Sequence, residues 1–442
     1  MAISAATGAS GGLLRICTAG SVDDGKSTLI GRLLYDSQSV YEDQVHSIEK
    51  ASKNRNAGPI DFSLFTDGLR AEREQGITID VAYRYFATAR RKFILADTPG
   101  HEQYTRNMAT GASTADLAIL LVDATNGVRD QTRRHARIAR LLGITNFVLA
   151  VNKIDLVGFD EGVFRAICDE LPGVLGDTAR VQAIPLSALH GDNVITSSER
   201  TPWYTGPALL PHLESADVEP WHAQGPFRFP VQLVVRPDAG FRGYAGQIAS
   251  GAVKVGDRIT AWPSGVTTRV ARIVTWDGDL DAAVAPMSVT LVLADEVDIS
   301  RGDVLATGPL HAGRRFAADV VWMDERPLDP KRPYVLKQGT RTVMAEAGSA
   351  LALNQIGPVT ITAGRPIVFE SYADSRTTGS FILIDPATNF TSGAGMIVEA
   401  LADVGPAVTL GAAERLAQTA RAAATDGAAA DAVRAMLEEM LT

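Results

Sequence analysis

Eight residues near the start of the chain, Gly20 to Ser27, have the types and spacing needed to bind nucleotide phosphates. They match G-x-x-x-x-G-K-[S/T] and lie between an apolar run at 13–19 and a helical pattern that starts at Thr28. In this strand–loop–helix context, backbone N–H groups surround the phosphates. Lys26 reaches the β- and γ-phosphates, and the Ser27 hydroxyl suits Mg²⁺. The nucleotide contacts predicted here are Gly20, Ser21, Val22, Asp23, Asp24, Gly25, Lys26, Ser27 and Thr28.

A second candidate element, Asp97-Thr-Pro-Gly100-His101, follows the apolar run at 93–96. A carboxylate at a strand end can hold Mg²⁺ through a water molecule, and the Gly100 N–H can sense the γ-phosphate. His101 is the predicted catalytic residue, since it can position the attacking water. The alternative is an ordinary surface histidine.

Between these two elements lies Gly76-Ile77-Thr78-Ile79, which on its own would indicate only the start of a strand. In this order it resembles a switch segment, in which Thr78 gives its hydroxyl to Mg²⁺ while the γ-phosphate is present. The predicted magnesium ligands are therefore Ser27, Thr78 and Asp97.

The base-reading element is Asn152-Lys153-Ile-Asp155, at the end of the apolar run 147–151. An ionised Asp155 only accepts hydrogen bonds, which suits the two donors on the N1–N2 edge of guanine. Ser187, Ala188 and Leu189 follow a later strand, and the Ala188 N–H is expected to contact the guanine carbonyl. The predicted nucleotide is therefore GTP rather than ATP.

The composition limits the possible partners and the compartment. The chain has 442 residues and a net charge of −9, so no large basic surface is indicated and no nucleic-acid partner is expected. Its two cysteines, Cys17 and Cys168, suit a reducing cytosol. No apolar run approaches a membrane span and no signal pattern opens the chain, so we expect a cytoplasmic protein without membrane contact.

The order of apolar runs predicts an α/β P-loop domain followed by two all-β barrels and a short helical tail. Strands are predicted near 13–19, 80–88, 91–97, 115–123, 146–152 and 181–187, mostly parallel, with the site at their carboxyl ends. From Phe227 the runs become short and β-rich. The predicted units are a loose tail at 1–12, a GTP-binding domain at 13–220, barrels at 226–314 and 315–408, and a helical tail at 409–442.

Two families carry this combination of motifs. A GTPase domain before two barrels resembles elongation factor Tu. The longer stretches 20–36, 65–85, 202–207 and 378–389 are similar to the GTP-hydrolysing large subunit of bacterial sulfate adenylyltransferase. Elongation factor Tu has histidines where this chain has Ser21 and Asp24, which favours the second family.

This resemblance implies roles for several residues. Lys26 would contact phosphate, Ser27 and Thr78 would bind Mg²⁺ with Asp97 supporting it through water, and His101 would position the hydrolytic water. Val22 and Ile77 would form an apolar gate around His101, and Asp23 would help to place a monovalent cation. The implied cofactors are GTP and Mg²⁺.

The resemblance also implies a partner and a function. In this family the small subunit joins ATP and sulfate into adenosine 5′-phosphosulfate and pyrophosphate, and GTP hydrolysis on the large subunit is coupled to that uphill step. The implied complex is a heterodimer in sulfate assimilation and cysteine biosynthesis. Some relatives carry a fused adenylylsulfate kinase, and the tail could be a native end or a linker remnant.

Two other functions compete with this interpretation. An elongation factor Tu-like protein that delivers aminoacyl-tRNA shares the fold and the switches. Alternatively, the chain itself could be the adenylyltransferase, although it has one phosphate loop only and no His-x-Gly-His pair.

Overall fold

The computed structural model describes residues 12–37, 60–65, 80–176, 178–218, 225–238 and 240–402. Within these ranges, an α/β domain comes first and two strand-only regions follow, which confirms the predicted fold class. The predicted tail at 409–442, nearly all of the tail at 1–12 and the switch residues Ile77 and Thr78 lie outside the described residues.

The first domain is built on a six-stranded sheet of order β2-β3-β1-β4-β5-β6. β2 is antiparallel to β3 and the other neighbours are parallel. Every residue of β4 is buried, as expected for a strand covered on both faces. The six predicted strands are all present, as β1 Leu13–Ala19, β2 Ala82–Ala87, β3 Lys92–Asp97, β4 Leu117–Asp123, β5 Asn146–Asn152 and β6 Arg180–Pro185.

Helices cover this sheet and bury apolar stripes in two large clusters on its faces. Short 3₁₀ turns lie at Phe62–Phe65, Glu102–Tyr104 and Ile154–Val157. The helices are α1 Lys26–Asp36, α2 Thr105–Ala112, α3 Asp130–Leu141, α4 Glu161–Glu170, α5 Pro172–Leu175 and α6 Leu209–Ser215. α3 buries Thr132, His135, Ala136, Ile138 and Ala139 on one face, and places arginines on the other.

The second domain is a closed ring in the order β10-β15-β7-β8-β14-β11, because β10 also pairs with β11. Closure leaves few unpaired strand edges. Its strands are β7 Arg228–Val235, β8 Gly243–Gln247, β9 Ala252–Lys254, β10 Arg258–Trp262, β11 Val266–Thr275, β12 Gly278–Leu280, β13 Ala282–Val284, β14 Ser288–Leu293 and β15 Val304–Ala306.

The third domain is a closed barrel of order β16-β19-β18-β17-β20-β21. Its first strand begins at His311, before the predicted boundary at 315, because pairing with β19 continues through a register shift between Gly313 and Arg315. Its strands are β16 His311–Trp322, β17 Tyr334–Gln338, β18 Arg341–Ala347, β19 Ile356–Phe369, β20 Ser380–Ile384 and β21 Thr391–Ala400.

The two barrels are joined by a buried ion pair. The Arg228 guanidinium donates from Nη2 to Glu370 Oε1 (2.7 Å) and from Nε to Oε2 (2.9 Å). The Arg228 side chain is 4% exposed and that of Glu370 16%. Thr340 Oγ1 also donates to the Val231 carbonyl (3.0 Å). Such bidentate geometry fixes both distance and orientation between the barrels.

The third domain also contacts the first, mainly through side chains that reach backbone carbonyls. The Tyr372 hydroxyl donates to the carbonyl of Leu142 (2.9 Å), and Arg376 donates to that of Gly143. Both carbonyls directly follow α3, so the carboxyl end of this helix is held by the third domain. In the part of the chain that the structure describes, every helix is too short or too polar to cross a membrane.

Candidate GTP-binding site

The phosphate loop joins β1 to α1 and is closed by its own side chains. The Asp24 carboxylate accepts a hydrogen bond from the Ser21 N–H (2.6 Å), and burial raises the pKa of Asp24. Gly25 has φ of +91°, the left-handed conformation that glycine adopts without steric cost. The Asp24 side chain therefore shapes the loop, while the loop's backbone is left to contact phosphate.

Lys26 lies inside this loop and is 7% exposed. Its Nζ donates to the carbonyls of Gly20 (3.0 Å) and Ser21 (2.7 Å). Burial lowers the pKa of Lys26, and the nearby carboxylates of Asp24 and Asp97 oppose that effect. The loop thus holds one cation where the predicted phosphates would lie.

Gly100 lies against the same lysine. A Cβ atom at this position would come within 2.4 Å of Lys26 Nζ and 3.0 Å of the Gly20 carbonyl. Only glycine lets this backbone approach the loop so closely. The Gly100 backbone therefore lies directly beside the phosphate loop.

Asp97 ends β3 beside the phosphate loop and is 1% exposed. It accepts a hydrogen bond from Thr18 Oγ1 (3.5 Å). Ser27 stands in the first turn of α1. Their carboxylate and hydroxyl oxygens are the donors that Mg²⁺ prefers, and this ion usually takes its remaining ligands from water and phosphate. Within the described ranges no three His, Cys, Asp or Glu side chains form a metal cluster.

His101 lines a cavity of about 470 Å³ beside the phosphate loop. Its Nδ1 accepts a hydrogen bond from the Gln103 N–H (3.3 Å), so the neutral ring carries its proton on Nε2. In this form the ring can donate to a water or a phosphate oxygen. The cavity is lined by Ser21, Val22, Gly100, His101, Arg129, Asp130, Gln131 and Arg134.

The phosphate loop is also tied to α3. The hydroxyls of Ser21 and Thr132 lie 3.3 Å apart, within hydrogen-bond distance. On the same buried face of α3, His135 Nε2 lies 2.8 Å from Gln131 Nε2. Burial, together with the charges of Lys26 and Arg134, lowers the pKa of His135 to about 3. The sequence did not reveal this link, because Ser21 and Thr132 are far apart along the chain.

The Asn152 amide connects the segments on the base-facing side of the nucleotide site. Its Nδ2 donates to the Asp24 carbonyl (2.7 Å), and its Oδ1 accepts from the Ala188 N–H (3.0 Å). One amide thereby connects the phosphate loop, the end of β5 and the loop after β6. The expected contact of the Ala188 N–H with the guanine carbonyl would have to share or replace the bond to Asn152. Ser187 is buried, and its Oγ accepts from the His190 N–H (3.3 Å).

Lys153 is fixed by an acid that the sequence analysis missed. Its Nζ donates to Asp123 Oδ2 (2.8 Å), and Thr125 donates to Oδ1 from its hydroxyl (2.6 Å). Burial raises the pKa of Asp123, but these hydrogen bonds outweigh burial and leave that pKa lowered. The available signal was the position of Asp123 at the carboxyl end of β4, where ligand-binding residues collect.

Asp155 lies two residues after Lys153 and is partly exposed. Its carboxylate lies 3.7 Å from His190 Nε2. Leu156 and Leu189 nearby are 65% and 54% exposed. The Leu189 carbonyl accepts a hydrogen bond from Arg32 (3.2 Å), which anchors this loop to α1. A partly exposed acceptor between apolar side chains has the chemistry to receive a planar base with two donors.

Comparisons with known proteins agree with this geometry. The family described as elongation factor Tu GTP binding domain matches residues 12–219, and the GTP-eEF1A C-terminal domain-like family matches 344–398. Sulfate adenylyltransferase subunit 1 of Vibrio vulnificus (strain YJ016) is 54% identical, over 89% of this chain and 87% of that protein. The corresponding subunit of Cronobacter sakazakii (strain ATCC BAA-894) is 53% identical, over 88% and 86%. The chain belongs to the sulfate adenylyltransferase subunit 1 family.

Family membership makes this chain a GTPase-type enzyme subunit with an elongation factor Tu-like GTP-binding domain, as the resemblance implied. A second group of relatives is longer. The bifunctional enzyme NodQ of Rhizobium sp. (strain BR816) is 53% identical over 87% of this chain, but the match spans only 64% of that protein.

Proposed function

We propose that this chain is the GTP-hydrolysing regulatory subunit of a sulfate adenylyltransferase. It would act with a small subunit that forms adenosine 5′-phosphosulfate and pyrophosphate from ATP and sulfate. The observation that carries the proposal is the 54% identity to sulfate adenylyltransferase subunit 1 across nearly the whole of that relative, together with a folded phosphate loop. No contact in the described site favours the translation-factor alternative.

In this proposal each part of the site has one task. The loop backbone and Lys26 bind the β- and γ-phosphates, and the Gly100 N–H contacts the γ-phosphate. Asp155 accepts from the guanine N1 and N2 donors. Ser27 and Asp97, together with Thr78 outside the described residues, would hold Mg²⁺, which neutralises phosphate charge.

Hydrolysis itself would depend on His101. In-line attack needs a water held behind the γ-phosphate, and the Nε2–H of His101 can orient that water. Val22, with Ile77 outside the described residues, would form the apolar gate, and Asp23 would help to place a monovalent cation. Asp23 has φ of +69°, so its backbone is held in an unusual conformation at the loop tip.

Hydrolysis would be coupled to adenylylation through nucleotide-dependent contacts with the small subunit. A ligand shifts an equilibrium only as far as it binds two states differently. We place this complex in the cytoplasm, in agreement with two free cysteines, one of them buried.

The test is to purify the chain with the small adenylylating subunit of the same organism and measure pyrophosphate release from ATP and sulfate. We expect release that rises with GTP, and not with GDP or a non-hydrolysable analogue. The chain alone should release no pyrophosphate; if it does, it is itself the adenylyltransferase. If the chain does not bind the small subunit, and its GTP form instead retards aminoacyl-tRNA in a gel, it is a translation factor and the proposal is wrong.

A further inference from the structure

A second cavity, of about 1050 Å³, lies between the first and third domains. One wall is the solvent-facing side of α3 and the other is formed by Asp319 and residues 354–356 of the third domain. The α3 wall carries Arg133, Arg134, Arg137 and Arg140. This arginine cleft is separate from the predicted nucleotide contacts.

The arginines form a regular row. Positions 133, 137 and 140 follow the i, i+4, i+7 spacing of one helix face, while Thr132, Ala136 and Ala139 on the other face are buried. With a rise of 1.5 Å per residue, the row spans about 10 Å. It is therefore longer than a single phosphate or sulfate group.

Part of this positive charge has no carboxylate partner in the part of the chain that the structure describes. Arg133 pairs with Glu170 (2.6 Å) and Arg134 donates to Gln131 (2.8 Å). Arg137 and Arg140 are exposed, and neither has a carboxylate within 4.0 Å among the described residues. These two guanidiniums are available to an anionic ligand.

The chemistry of the cleft selects the kind of ligand. Asp130 and Asp319 line the same cavity as the arginines, so a compact triphosphate would meet like charge on both walls. A polypeptide can place acidic side chains on the arginine row and neutral or basic ones beside the two aspartates. We propose that the arginine cleft binds an acidic segment of the small adenylylating subunit.

The cleft also adjoins the cavity beside the phosphate loop. Asp130 and Arg134 line both this cleft and the cavity that contains His101. Between these two residues on the same helix, Thr132 contacts the phosphate loop through Ser21. A segment bound in the cleft would therefore touch the helix that contacts the phosphate loop, and it would favour one nucleotide state over the other.

This inference rests on the proposed function, and the experiment separates the two. Affinity for the small subunit is measured for the wild-type chain and for the double variant Arg137→Glu with Arg140→Glu, at low and high salt. We expect the variant to bind about 10- to 100-fold more weakly at low salt, with a smaller difference at high salt. The matched control carries Arg258→Glu with Arg365→Glu, two charge reversals at exposed positions on the barrels. It should bind the small subunit like the wild type.

A photo-crosslinking residue at position 137 identifies the occupant in an otherwise unchanged chain. We expect it to label an acidic stretch of the small subunit, and the same residue at position 365 to label nothing there. Equal binding by wild type and variant would overturn this inference but not the proposed function. A crosslink to residues 403–442 of the same chain would do the same. The inference is also wrong if wild type and variant both bind the small subunit but only the wild type binds inorganic pyrophosphate. If the wild type does not bind the small subunit, the proposed function fails and the inference fails with it.

Discussion

In the phosphate-facing half of the nucleotide site, Lys26 is buried and held by two carbonyls, whereas in the base-facing half the Asp155 carboxylate lies 3.7 Å from His190 Nε2. The first half is crowded, since a Cβ atom at Gly100 would collide with Lys26 and the loop backbone. The second half keeps its shape through Asn152 and leaves its reading group partly exposed. Changes to Lys26 in the first half should therefore disturb binding and turnover together, and changes to Asp155 in the second should alter selectivity.

The largest effect is expected from Lys26→Ala. This change removes the one buried cation of the loop, worth about 3 kcal/mol or on the order of 10²-fold in GTP affinity. Titration with a fluorescent GTP analogue measures the loss, and turnover should fall at least as much. Lys153→Ala is the comparison in the base-facing half. An equal loss in both variants would contradict the contrast between the halves.

His101→Ala should separate chemistry from binding. GTP affinity should stay within about twofold, while single-turnover hydrolysis falls on the order of 10²-fold, because the orienting N–H is lost. His190→Ala, which removes the histidine near Asp155, should leave single-turnover hydrolysis nearly unchanged. If His101→Ala weakens binding as much as hydrolysis, His101 has a structural role.

Asp155→Asn tests the base-facing half. The amide presents a donor where guanine also has donors, so GTP should bind about 10- to 100-fold more weakly, and xanthosine triphosphate should bind better than GTP. Competition between the two nucleotides measures the preference directly. A variant that still prefers GTP would show that Asp155 does not read the base.

The neutral state of His135 predicts a pH dependence of stability. The pKa of His135 is about 3 in the folded chain and about 6.5 in the unfolded chain. The contribution of neutral His135 to the free energy of unfolding is therefore fully present above pH 6.5 and is lost as the pH falls toward 3. At pH 5 the loss is about 2 kcal/mol. Urea unfolding at pH 7 and pH 5 measures this loss. His135→Gln should reduce the difference between the two pH values; an unchanged difference would assign it to other groups.

The smallest effect is expected from Gly25→Ala. Its comparison with Gly256→Ala separates a steric clash from the strain of a left-handed backbone. Gly25 and Gly256 have φ of +91° and +92°, but an added Cβ would lie 2.3 Å from Asn152 Nδ2 at Gly25 and would meet nothing within 4 Å at Gly256. Both alanine variants should lose about 1 kcal/mol of stability from the left-handed conformation. Only Gly25→Ala should also weaken GTP binding, by about tenfold, because it displaces Asn152. Equal GTP affinity in the two variants would show that the contact with Asn152 is unimportant.

Much of the first domain could be predicted from the sequence. The runs at 13–19 and 146–152 are strands with the expected bounds, because continuous apolar residues bounded by loop signals leave few alternatives. The phosphate loop was predictable because its glycines and lysine are adjacent in the chain. The family assignment followed from the same local motifs.

What the sequence did not show depends on contacts between distant residues. The bond between Ser21 and Thr132, the use of the Ala188 N–H by Asn152 and the salt bridge from Asp123 to Lys153 all join separate segments. The sequence analysis expected no large basic surface, and it is the packing of the third domain beside the arginines of α3 that creates a cleft. Pairings of this kind depend on how the sheet is ordered, which local periodicity does not specify.

The ion pair between Arg228 and Glu370 has a mechanical consequence. The pair is largely buried and Arg228 donates to both carboxylate oxygens of Glu370, so a displacement of one barrel would be transmitted to the other. The third barrel in turn contacts the first domain at the carbonyls of Leu142 and Gly143, where α3 ends, so a displacement of the second barrel has a route to α3 through the third barrel. The same helix, α3, contacts the phosphate loop through Thr132, so this route ends beside the nucleotide site.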